Sequence, residues 1–186
     1  MKILLTSAGL ETEELQDYFV KMLDKKMNSV RALFIPTAAV DAGAIAVLPK
    51  CMNDLLKCGI SESNIKVYDM HKGMELKELS QYDAVYICGG DTRYLLQRMN
   101  ETGFAGSLKE YILAGGAVLG VSAGSLIFAD NIPDNLGLIP VRLEVHCAEG
   151  EQPCKKAYPL KNPLRLTNTC ALAIRNLPDG MELIGT

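Results

Sequence analysis

Tryptophan is absent from the 186 residues, and histidine occurs only twice, at His71 and His146. Two imidazoles exclude a histidine-rich metal site and leave base chemistry at neutral pH with two residues to draw on. The six cysteines (51, 58, 88, 147, 154 and 170) contain no C-x-x-C pair. Zinc-ligand spacing and a disulfide framework are therefore missing, and a reducing, cytoplasmic setting is expected. Positive charge is not in excess: the net charge is -3 and the pI about 5.5. That balance offers no basic field for nucleic acid or an anionic membrane, and Lys25-Lys26 and Lys155-Lys156 read as solvated pairs. The opening Met1-Lys2-Ile3-Leu4-Leu5-Thr6 is too short an apolar run for the core of a signal peptide and reads as a first strand. Ile112 to Ala129 carries no charge, but Gly115, Gly116, Gly120 and Gly124 break it into a helix end, a buried strand and a turn, which excludes a membrane span.

What is present is an alternation of apolar runs with amphipathic segments, the pattern of an α/β fold with a mainly parallel sheet. Apolar content of 48% suits one globular domain with a full core. Strands are expected at Ile3 to Thr6, Val30 to Ile35, Ile65 to Tyr68 and Asp83 to Cys88. Helices are expected at Glu11 to Met27, at Gly43 to Cys58 with a kink or late start at Pro49, at Thr92 to Asn100 and at Gly106 to Ala114. His71 to Ser80 reads as loop with one helical turn. Beyond Ser125 the rhythm changes: Leu138 to Val145 is expected as a strand, Cys147 to Pro163 as irregular, and Leu164 to Leu166, Leu172 to Ile174 and Glu182 to Ile184 as short strands. Pro178-Asp179-Gly180 is the expected turn between the last two.

Ala117 to Ser125 is the stretch around which the chemistry is organised. An apolar run leads into Gly120-Val121-Ser122-Ala123-Gly124, which fits the nucleophile-elbow pattern G-x-S-x-G. A strand turning sharply into a helix holds Ser122 at strained backbone angles, while glycines on either side avoid clashes with neighbouring backbone. The N-H of Ala123 would then face a developing oxyanion. Taken alone, the five residues fit equally well a small-residue turn with no chemistry. A serine nucleophile needs a base, and His146 is the one imidazole placed after the elbow. Gly89-Gly90-Asp91 ends the fourth strand, and Gly90 could supply a second unobstructed N-H beside that of Ala123.

Four stretches together resemble peptidase family S51, which includes α-aspartyl dipeptidase (peptidase E) and cyanophycinase. They are Leu5-Thr6-Ser7-Ala8-Gly9, Phe34-Ile35-Pro36-Thr37-Ala38-Ala39, Gly89-Gly90-Asp91-Thr92 and Gly120-Val121-Ser122-Ala123-Gly124. A fifth, Leu136-Gly137-Leu138-Ile139-Pro140 followed by His146, is similar to the family segment leading to its catalytic histidine. The resemblance implies one family domain over residues 1–186, folded as a flavodoxin-like three-layer α/β/α sandwich related to class I amidotransferases. It implies Ser122 as nucleophile, His146 as general base, and Gly90 and Ala123 as oxyanion donors, with no metal or organic cofactor.

Two departures stand out. Where the family places a Glu or Asp as third catalytic member, this chain has Asn168, within Leu166-Thr167-Asn168-Thr169, with Asp130 and Asp134 as alternative acids. Asparagine can orient a histidine but cannot stabilise imidazolium by charge. The family also draws basic substrate-binding residues from a helix after the histidine, whereas Arg142, Lys155, Lys156 and Arg165 stand in no matching motif; Cys147 reads as packing. The expectation is a cytoplasmic serine peptidase acting on small peptides, dipeptides with an N-terminal Asp among them, with oligomeric state open. The alternative is a weakened family member serving as a binding or regulatory module. An amidotransferase-like enzyme fits less well, because those enzymes carry cysteine at the elbow.

Overall fold

The computed structural model describes residues 1–150, 162–175 and 180–185. A seven-stranded sheet forms its centre. The five strands β1 (Lys2–Thr6), β2 (Ala32–Ile35), β3 (Ile65–Val67), β4 (Ala84–Ile87) and β5 (Ala117–Val121) run parallel. Two short strands, β6 (Leu143–Glu144) and β7 (Leu164–Arg165), pair with each other outside this sheet. Strands β8 (Cys170–Ile174) and β9 (Met181–Gly185) add antiparallel pairs beyond β1, giving the order β3-β2-β4-β5-β1-β8-β9.

Successive residues of the central strands bury on opposite faces, which is why these strands read as unbroken apolar runs. On one face, α1 (Glu13–Leu23) and α2 (Ala42–Lys57) form a core with Leu4, Phe34, Tyr86 and Leu119. On the other, Ile3 and Leu5 of β1, Leu33 and Ile35 of β2, and Val85 and Ile87 of β4 share a core with α3 (Leu76–Leu79), α4 (Thr92–Glu101), α5 (Phe104–Leu113) and α6 (Ala123–Leu126). Helices on both faces of a mostly parallel sheet make the three layers that the family resemblance implies.

Helix starts follow local chemistry. Thr12, Asp41 and Asp91 each accept a hydrogen bond from the backbone N-H three residues on, capping α1, α2 and α4. Helix α2 runs through Pro49 without a break. Pro49 is exposed, so water can satisfy the carbonyl that its missing N-H leaves free. The uncharged stretch from Ile112 divides into the end of α5, strand β5 and α6, and no helix among the described residues is long and apolar enough to cross a membrane.

The strand expected over Leu138 to Val145 is a correction. Only β6 forms, pairing in parallel with β7, while Ile139 makes a lone bridge to Ala129. Leu136, Ile139 and Leu143 are buried against the α3–α6 core, so the segment is held by side-chain packing and spaced turns rather than by a ladder. The expectations for 151–161, which include Cys154, Lys155 and Lys156, and for the turn at Pro178-Asp179 lie outside the described residues.

Candidate active site

Four segments end at the same edge of the sheet: the turn after β1, the loop after β4, the elbow after β5 and the residues leading into β8. In open α/β sheets this carboxyl edge is where ligands bind.

The elbow has the backbone that its sequence requires. Ser122 sits at φ 50°, ψ -112°, a strained conformation for a residue with a Cβ. A Cβ on Gly120 would lie 2.4 Å from the Gly124 carbonyl oxygen, and one on Gly124 would lie 2.3 Å from that of Ile87. Both positions therefore exclude side chains. Buried Ser125 ties the elbow to β1: its Oγ lies 2.8 Å from the carbonyl oxygens of Thr6 and Gly120 and accepts the Thr6 N-H at 3.1 Å. The Ser122 N-H completes the clamp by donating to Thr6 O at 3.0 Å.

His146 reaches the same place from the far end of the chain. The β6–β7 pair brackets it, with Leu166 N-H donating to Glu144 O at 2.8 Å and Cys147 N-H donating to Leu166 O at 3.2 Å. His146 itself adopts φ 58°, and its Nε2 lies 2.9 Å from Ser122 Oγ. Ser122 is partly exposed and His146 exposed, so the pair is open to a ligand.

The other imidazole nitrogen meets Ser7 rather than Asn168. Ser7 Oγ lies 3.3 Å from His146 Nδ1, accepts the His146 backbone N-H at 2.6 Å and donates to Asn168 Oδ1 at 3.1 Å. A hydroxyl has one proton and two acceptor positions. With its proton given to Asn168, Ser7 can only accept from Nδ1, which must carry the ring proton. Nε2 is then the free lone pair facing Ser122. Asn168 meets the imidazole only through Ser7, one hydrogen bond further away than a triad acid would stand. Asp130 and Asp134 are not among the hydrogen-bond partners of His146 and do not line the cleft. Ser7 lies within one of the stretches carrying the family resemblance, but its side chain reads from sequence as part of a small turn.

Backbone donors complete the edge. The Gly89 position approaches Ser122 so closely that a Cβ there would be 3.1 Å from Ser122 Cβ. Gly90 has φ 136°, and a Cβ on it would overlap Ala38 O at 1.9 Å. The N-H groups of Gly90 and Ala123 donate to no backbone group among the described residues. Asp91, next in line, is spent on structure: its N-H donates to Ala38 O at 2.8 Å and its Oδ1 caps α4.

These groups open onto a cleft of about 290 Å³, whose remaining wall is α2 with Ala44, Val47, Leu48, Lys50 and Cys51, and whose floor includes Cys88 and Val121. Burial pushes the Cys88 thiol far up, so it stays neutral. Behind the floor, buried Asp54 accepts from Tyr86 Oη at 2.7 Å and from the Leu10 N-H at 3.0 Å, and burial raises its carboxyl above the usual range. Arg142 and Arg165 do not line the cleft, and Arg165 pairs with Glu144 at 2.8 Å. Cys147 is partly buried, with its Sγ 3.5 Å from Glu144 O, and His71 stands on the surface beside Asp69. No group of three or more His, Cys, Asp or Glu side chains placed to hold a metal occurs among the described residues.

Comparison with known proteins agrees with this architecture. An uncharacterized peptidase of Pasteurella multocida is 30% identical over 99 residues, covering 53% of this chain and 48% of that protein. Peptidase E of Shewanella denitrificans is 25% identical over 149 residues, covering 73% of this chain and 60% of that one. The chain spans about half the length of the curated relatives it matches. Among solved structures, a candidate peptidase E from Listeria monocytogenes EGD-e superposes with a TM-score of 0.73 at 21% identity, covering 100% of this chain and 98% of that one. A peptidase from an acI-B1 Actinobacterium gives 0.69 at 18% identity, covering 100% and 87%. Both share the fold. The model of peptidase family S51 matches residues 3–138, which hold the elbow and Gly90 but stop short of His146 and Asn168. By that match the chain belongs to peptidase family S51.

Proposed function

We propose that the protein is a serine peptidase that hydrolyses small peptides through an acyl-enzyme, with Ser122 as nucleophile and His146 as general base. The observation that carries this reading is the 2.9 Å approach of Ser122 Oγ to His146 Nε2 on a strained elbow.

In this mechanism Nε2 takes the Ser122 proton as Oγ attacks the scissile carbonyl. The N-H groups of Gly90 and Ala123 hold the oxyanion, and the imidazolium then gives the same proton to the departing amine nitrogen. The Ser122 ester is next attacked by a water whose proton goes to Nε2, and return of that proton to Oγ releases the acid. The cleft volume, near the lower end of the roughly 300–1,000 Å³ usual for ligand sites, suits a short peptide. Imidazolium formation here has only neutral support, from Ser7 and through it Asn168, so the reading implies slow turnover. The same feature favours a second reading, a binding module that keeps the cleft without turnover.

A fluorophosphonate probe separates the two. Adduct formation on Ser122, located by mass spectrometry and lost in His146→Ala, is expected for the peptidase. An unreactive Ser122 in folded protein would leave the binding module as the better account.

A further inference from the structure

Helix α2 presents Ala44, Val47, Leu48 and Cys51 to the cleft. Their spacing of three, four and seven residues puts them on one stripe of the helix. An apolar stripe of this kind normally faces the core, yet Val47 keeps 48% of its surface exposed at the cleft wall. Ala8, Cys88 and Val121 continue the apolar lining toward the elbow. Cys51 of α2 neighbours Cys88, which lies two residues before Gly90, so the apolar wall adjoins the Gly89-Gly90 side of the nucleophile. An acyl group whose carbonyl is held by the Gly90 N-H would lie within reach of this wall, which lines the same cleft.

Charge in this wall is nearly cancelled. Lys50 is the one lysine or arginine among the described lining residues, and it is ion-paired with Glu11. An anionic side chain entering here would lose water against aliphatic carbon and thiol sulfur while competing with Glu11 for Lys50. An aliphatic side chain would lose nothing comparable and would cover Val47 and Leu48.

Resting on the reading of Ser122 as nucleophile, we infer that the preferred substrates carry an uncharged apolar side chain, of alanine to methionine size, on the residue that supplies the scissile carbonyl. Val47 and Leu48 set that preference from one face of α2.

The test compares aminoacyl p-nitroanilides of Ala, Leu and Met with those of Asp and Lys. The expected result is a kcat/KM at least about tenfold higher for the apolar set, the scale on which a hydrophobic pocket discriminates. Val47→Arg should shrink or invert the Leu-to-Asp ratio, whereas Lys50→Met should leave Leu preferred. An enzyme that prefers Asp, and loses that preference in Lys50→Met, overturns the inference while sparing the peptidase reading. Should no anilide be cleaved, Ser122→Ala protein titrated with N-acetyl-leucinamide and N-acetyl-aspartamide, followed by NMR shifts of Val47 and Leu48, addresses the cleft without chemistry. Selective binding of the leucine ligand supports the apolar preference of the cleft wall; equal binding, preference for aspartate, or no binding of either overturns the inference.

Discussion

Ser7 holds His146 twice, through the backbone N-H at 2.6 Å and through Nδ1 at 3.3 Å, and spends its own proton on Asn168. One buried hydroxyl thus fixes both where the imidazole stands and which nitrogen carries its proton. Removing the hydroxyl in Ser7→Ala leaves the ring free to rotate and to adopt the wrong tautomer. The expected outcome is a fall in kcat of about 10–100-fold with KM little changed, smaller than the ~10⁴ lost on replacing the acid of a Ser-His-Asp triad, because the support removed is neutral. Recovery of part of the loss in Ser7→Thr, which restores a hydroxyl, separates positioning from simple loss of packing. Steady-state kinetics on the two variants, beside their melting temperatures, decides the point.

Asn168 is the second place to intervene. Its Oδ1 accepts the Ser7 proton, so Asn168→Asp keeps the acceptor and adds a negative charge one hydrogen bond from the ring. Coulomb attraction for the imidazolium is expected to raise kcat, but by about tenfold at most, since Asn168 is exposed and solvent screens the pair. Asn168→Ala should act in the opposite direction by releasing the Ser7 proton. Equal kcat in wild type and both variants would remove Asn168 from the site.

The elbow, Gly90 and His146 were legible because each rests on a local rule: glycine where a Cβ meets backbone, serine at the turn between strand and helix, and one imidazole placed after it. The parallel order of the sheet was legible for the same reason, as apolar runs alternating with amphipathic ones. Ser7 was not, because a hydroxyl 139 residues from its histidine leaves no mark in a local pattern. Asn168 was placed at the right edge but one bond too close, since nothing in sequence shows Ser7 inserted between them. Leu138 to Val145 reads as one strand because its apolar residues face a core, although only Leu143-Glu144 and a lone bridge at Ile139 pair, a distinction that composition does not carry. Ala44, Val47, Leu48 and Cys51 of α2 carry no motif in sequence; only the fold brings them to the wall of the cleft.

The glycines offer a stability test with a functional readout. Gly124→Ala drives a Cβ to within 2.3 Å of Ile87 O, backbone that belongs to β4 and cannot swing aside. Destabilisation by about 1–3 kcal/mol is expected from such overpacking. Displacement of Ser122 should also abolish fluorophosphonate labelling. Gly90→Ala carries the analogous conflict with Ala38 O and moves one donor, so turnover is expected to drop by about 10²–10³ while Ser122 remains labelled. Labelling and turnover thus part company at Gly90 and fall together at Gly124.

Asp54 links α2 to the Leu10 turn and to Tyr86 of β4, two supports of the cleft wall, and its burial raises the folded-state carboxyl above the unfolded value of about 3.9. Between those two values the folded protein binds more protons than the unfolded chain, so this group's contribution to stability is present below the unfolded pKa. It is lost as pH rises through the folded one. The hydrogen bonds from Leu10 and Tyr86 oppose the shift without reversing it. The substitution Asp54→Asn would keep an acceptor oxygen for both donors and would remove the titration. The stability difference, wild type minus Asp54→Asn, should therefore decline from about pH 4 upward and then level off, with other titrating groups cancelling in the subtraction. Urea midpoints measured for both proteins from pH 4 to pH 8 give that difference directly. A difference that grows with pH would mean that the bonds from Leu10 and Tyr86 outweigh burial, and that Asp54 holds α2 in place as an anion behind the cleft floor.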